Sequence, residues 1–141
     1  METKYLYPTR EAGREFISRQ IQGSVVMLNL LRFREIADYS STPELAPDIP
    51  ISGREAYEIY VRQTLPFLKE SGGDILFMGK AGHFLIGPEN EYWDAVMLIR
   101  QKNVNSFLSF EQNPEYMKII GHRTAALVDS RLLPTEEDDK F

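Results

Sequence analysis

The sequence predicts a single α+β domain built on a four-stranded antiparallel sheet. Three observations predict it. Short apolar runs of strand length alternate with longer stretches of helical period. A Gly-Pro turn alone separates the two middle strands, which makes them an antiparallel hairpin. The main elements follow the order strand, helix, strand, strand, helix, strand.

The elements can be taken in chain order. Residues 9–22 carry Ala12, Phe16, Ile17 and Ile21 at helical spacing, with Thr9 as cap and Gly23 as stop. Ser24–Phe33 is an apolar run with adjacent β-branched residues, which suits a central strand buried on both faces. Residues 34–51 hold Ser40, Ser41, Pro43, Pro47 and Pro50, so no regular element is expected there. A loop of that length reads as a mobile surface segment, with a functional lid as the alternative. Ser52 and Glu55 form a capping box, and Ala56, Tyr57, Tyr60, Val61, Thr64 and Leu68 share one helical face. Pro66 predicts a kink, and Gly72-Gly73 a stop. Asp74–Lys80 is the second strand, with His83–Ile86 as its expected extension. Tyr92–Arg100 is the third strand. Residues 104–126 form helix in two pieces, the second opened by Pro114. Val128–Leu133 is the last strand, closed by Pro134.

Leaving out the first helix, this is the split βαβ, ferredoxin-like pattern. Right-handed crossovers place the first and third strands side by side in the middle of the sheet. Helices then cover one face, and the other is left open for a second copy of the same sheet. Alternation suggests Val26, Leu28 and Leu30 for the helix side. It leaves Met27, Asn29, Leu31 and Phe33, with Asp94, Val96, Leu98 and Arg100, on the open side. The chain divides into a helical extension at 1–23, an α+β domain at 24–134 and an acidic tail at 135–141.

Composition limits the function. A net charge of −5 argues against a nucleic-acid backbone as the main partner. No apolar run approaches the roughly 20 residues that span a bilayer, so no membrane partner is expected. The first residues are polar and lack the apolar core of a secretion signal, so a cytoplasmic location is expected. With no Cys, thiolate chemistry and zinc–sulfur sites are excluded. Two histidines without ligand spacing give no metal site, and no glycine-rich turn leads from strand to helix to hold a phosphate cofactor. No cofactor is therefore expected.

The candidate catalytic residues are His122 and Asn29. His122 titrates near neutrality and can act as a base, or it only caps its helix. Asn29 sits mid-strand among apolar residues, so its amide must meet something polar. The two are expected to share one site. Candidate substrate-binding residues are Arg32, Tyr60, Asp94 and Arg123; each also has an ordinary reading as surface pair, core or salt bridge.

Met27–Phe33, Ala56-Tyr57 with Tyr60, Gly72-Gly73, Gly79, Ile86-Gly87-Pro88, Trp93-Asp94, Pro114-Glu115-Tyr116, His122-Arg123 and Asp129-Ser130 occur in a telling order. That order resembles the domain-of-unknown-function family thirteen-thirty of the dimeric α+β barrel superfamily, over roughly residues 24–133. Where family members often carry Tyr-Pro-Ser, this chain has Gln101-Lys102-Asn103. The resemblance implies a homodimer. It also raises the prospect of a metal-free enzyme that moves a proton on a small organic acid, ketone or lactone, as in isomerases or cofactor-free monooxygenases. The alternative is a dimer that binds a small molecule or serves structure without catalysis.

Overall fold

The computed structural model describes residues 3–141. The elements are α1 (Arg10–Ser18), β1 (Val25–Phe33), α2 (Gly53–Glu70), β2 (Asp74–Lys80), β3 (Ala95–Gln101), α3 (Val104–Glu111), α4 (Pro114–Ala126) and β4 (Leu127–Thr135). The four strands form one antiparallel sheet in the order β2-β3-β1-β4. This is the ferredoxin-like arrangement, with β1 and β3 central as the crossover rule requires.

Local chemistry sets most boundaries. Thr9 caps α1 by accepting from the Ala12 N–H at 3.0 Å. The helix ends at Ser18 rather than near residue 22, because Gln20 turns into the left-handed region at φ 50. Ile21 still packs inward, with Val25 and Met27. The capping box on α2 is complete: Glu55 N donates to Ser52 Oγ, and Ser52 N donates to Glu55 Oε1, both at 3.0 Å. Pro66 does not end α2, which runs on to Glu70. Residues 83–86 do not extend β2; only a His83–Tyr92 bridge forms there. The third strand correspondingly starts at Ala95. The last strand passes through Pro134, which pairs with Met27 on the outermost strand, where a missing donor is tolerated.

The two faces of β1 are the reverse of the expectation. Val25, Met27, Asn29 and Leu31 are buried beneath the helices. Leu31 joins Ala56, Tyr57, Tyr60, Ala95, Met97, Tyr116 and Leu127 in the main core. Val26, Leu28 and Leu30 lie on the uncovered face, with Val96 and Leu98 of β3. Register lines up Phe77, Leu98, Leu28 and Leu133 as one apolar row across all four strands. Period-two alternation gives two sets but not their direction, and β1 is apolar on both.

The loop at 34–51 is a docked segment rather than a free surface loop. Arg34 N donates to Ala126 O at 2.8 Å, Asp38 N to Ala125 O at 2.9 Å, and Ala37 N to Ile51 O at 2.9 Å. Tyr39 is buried, and a 3-10 turn forms over Pro43–Leu45. Gly121 permits the close approach: a Cβ there would lie 2.6 Å from Thr42 Oγ1 and 2.7 Å from Leu45 Cδ1. The segment before α1 is also tied down. Ser130 N donates to Tyr5 O at 3.0 Å, and Tyr5 N donates to Asp129 Oδ1 at 2.8 Å, alongside the start of β4.

Candidate functional site

A concave surface lies where the end of β1, the end of β2 and the start of β3 meet the start of α2. Two adjoining clefts of about 540 and 370 Å³ share Phe33, Arg54, Lys80 and Asp94. The first also takes in Arg34 and Trp93, the second Tyr57 and Glu58.

Backbone hydrogen bonds hold Asp94 and the start of α2 in place. Asp94 N donates to Leu31 O, and its Oδ2 accepts from Phe33 N, both at 2.8 Å. Asp94 O accepts from Ala81 N at 3.0 Å, so this residue joins three strand ends. Gly53 N donates to Arg34 O at 3.0 Å, and a Cβ on Gly53 would sit 2.3 Å from that oxygen. Only glycine lets α2 start this close to β1. Arg34 Nε is shut away from solvent and has no hydrogen-bond partner among the described residues. Arg54 and Lys80 are exposed at the rim.

The sequence-selected residues fall into separate places. Of the six, Asp94 alone lines the clefts. His122 is buried on α4, with Nδ1 2.8 Å from Tyr39 Oη, and burial pushes its pKa below the usual histidine value. Asn29 faces the helices opposite Met97, and its Nδ2 donates to Met27 O of its own strand at 3.2 Å. The expected placement of Asn29 beside Asp94 on the open face is therefore corrected. The hydrogen bonds of His122 and Asn29 run to different partners.

Tyr60 is buried on α2, its hydroxyl 2.7 Å from that of Tyr116, and desolvation holds its pKa well above the phenol value. Arg123 donates to Leu6 O at 2.7 Å and to Ser130 Oγ at 3.2 Å, and its charge also acts on Tyr57, Tyr60 and Tyr116. Arg32 donates to Tyr92 O at 2.6 Å and lies 5.0 Å from the Trp93 ring centre, with Arg131 4.9 Å from the same ring. That stack closes one end of the uncovered sheet face. Arg34, Arg54 and Lys80 were not selected from sequence. Arginines and lysines in loops and at rims carry no periodic signal, and only the fold brings these three together.

Two solved structures of the RPA0582 protein match nearly the whole chain. The structure of its methylated form is 32% identical, with 98% of each chain covered and a TM-score of 0.85. The second, described as a protein of unknown function from Rhodopseudomonas palustris, is 32% identical over 97% of this chain and 99% of that one, with a TM-score of 0.84. This chain belongs to the family of the RPA0582 protein. The likeness of fold extends over 98% of this chain. The relationship brings a fold and no reaction, since the relative's own function is unknown. A dimeric protein of unknown function and ferredoxin-like fold from Bacteroides fragilis matches at 13% identity, over 82% of this chain and 98% of its own, with a TM-score of 0.43. At that distance it does not bear on this chain. No family model and no curated protein matches, so the resemblance to family thirteen-thirty gains no support beyond the shared fold.

Proposed function

We propose that this protein is a homodimer that binds a small organic acid, ketone or lactone in the cleft at the start of α2 and moves a proton on it without a metal. One observation carries the reading: Arg34 Nε faces no partner within a cleft wall that also carries Arg54 and Lys80. A guanidinium donor shut away from water and left unpaired is costly, and a carboxylate in the cleft would relieve that cost. Asp38 acts on Arg34 electrostatically, but its carboxylate accepts from Ser40 N. Asp94 has one oxygen committed to Phe33 N and no hydrogen-bond partner for the other among the described residues, so it is the group we assign to accept a proton. The proton-handling role thus moves from His122 and Asn29 to Asp94.

Dimerisation is supported by the apolar row across the uncovered face. Phe77 and Leu133 stand 53% and 57% exposed in a lone chain, more than a soluble surface tolerates as one patch. A thermal-shift panel of small carboxylic acids tests the cleft. A saturable rise in Tm is expected with at least one acid, lost in Arg34→Met. The cleft reading fails if no acid at millimolar concentration raises Tm, or if Arg34→Met and Arg54→Met leave the rise unchanged.

A further inference from the structure

We propose that the loop at 34–51 is a pH-gated strap over α4, released when His122 takes up a proton. One side-chain hydrogen bond ties the strap to α4, beside the apolar packing of Ala37, Leu45 and Ile51 against the core. Tyr39 Oη and His122 Nδ1 are 2.8 Å apart, and the two rings meet edge-on with centres 5.5 Å apart. Both side chains are buried, at 9% and 5% exposure. The remaining anchors flank this pair: Asp38 N on Ala125 O, and Thr42 and Leu45 seated against Gly121.

No counter-charge waits for a protonated imidazole. From the loop, Tyr39 faces it; the neighbouring Asp38 carboxylate is turned to Ser40 N. Along α4, Lys118 is paired with Glu115, and Arg123 is turned to Leu6 O and Ser130. No carboxylate of α2 or the sheet forms an ion pair with His122 among the described residues. A charge placed there is desolvated and unpaired, so lifting Tyr39 away to admit water is the relief open to it. Burial already biases the imidazole toward its neutral form.

The strap begins at Arg34 and Glu35, which wall the larger cleft, and leads into Ser52, the cap of α2, which lines it too. Release would therefore loosen Arg34. This last consequence rests on the ligand reading of the cleft given above.

Amide exchange by NMR on the full chain, with the imidazole titrated in the same samples, tests the proposal. The protection factor of the Asp38 amide is expected to fall about tenfold or more between pH 7.5 and 5.0 relative to β1 amides. Its midpoint should coincide with the His122 titration. His122→Gln should flatten the dependence. The strap proposal is overturned if Asp38 protection tracks β1 at every pH, or if its midpoint departs from that of the wild-type imidazole. Acid binding, measured in parallel, separates the two readings. Weaker binding at pH 5.0 with strap release supports both, whereas no binding at any pH defeats the cleft reading and leaves the exchange result to decide the strap.

Discussion

At the scale of single residues, the chemistry turns on groups whose surroundings are fixed by close backbone approach. His122 has its pKa lowered by desolvation from the ordinary value of 6.5. The unfolded chain therefore takes up the proton first as pH falls. The stability this residue contributes is complete above about pH 6.5 and is lost as pH drops through the lowered folded value. Chemical denaturation at pH 7.5 and 5.0 should show that loss in the wild type and a smaller one in His122→Gln. Gly121→Ala sets two effects against each other. Alanine favours a helix by about 1 kcal/mol over glycine, while overpacking costs about 1–3 kcal/mol. With Thr42 Oγ1 at 2.6 Å from the added carbon, the clash wins, and a lower urea midpoint is expected. Asn29 and His122 were conspicuous in the sequence because a lone amide in an apolar run and a rare histidine are both costly to bury. The sequence does not show how each cost is met. Asn29 meets it with the carbonyl of Met27, two residues away, and His122 with a tyrosine from a loop that carries no pattern.

At the scale of elements, caps and periodicity were legible and long-range docking was not. Ser52 with Glu55 announced α2, and Pro114 announced α4, because both signals are local. Asn103 likewise caps α3 by accepting from Ser106 N at 2.7 Å. Ser52→Ala should cost about 1 kcal/mol, read as a lower denaturation midpoint with an unchanged m-value. Residues 83–91 form no strand beyond a single bridge. His83-Phe84-Leu85-Ile86 is apolar enough for a strand, yet Leu85 and Ile86 stand 100% and 92% exposed beyond a single bridge. Apolar character reports burial only when a partner surface exists, and within one chain none reaches that tip. The loop at 34–51 is the opposite case, docked although its sequence carries no pattern. Its anchors are backbone carbonyls of α4, which any sequence supplies.

At the scale of the whole molecule, the sheet order follows from element order and handedness alone, so it was legible before any contact was known. Which face of β1 meets the helices was not, because both of its alternating sets are apolar. Leu28 lies at the centre of the uncovered row, and Leu28→Glu should convert the proposed dimer, of about twice 16.3 kDa, into a monomer by light scattering, with α-helical circular dichroism retained. Any activity found should survive dialysis against a chelator, since the clefts offer Asp94, Glu35 and Glu58 but no histidine, and no metal-holding cluster of such side chains forms among the described residues. The sheet's two outer margins bear on how copies can meet. Along β2 the pairing slips between Ile75 and Phe77. Along β4, Pro134 lacks a donor, and Tyr5 already occupies Ser130. Neither margin offers the long, flat ladder that lets chains add strand to strand without limit. A sheet with one apolar face and two such margins favours the proposed closed pair over growing fibrils.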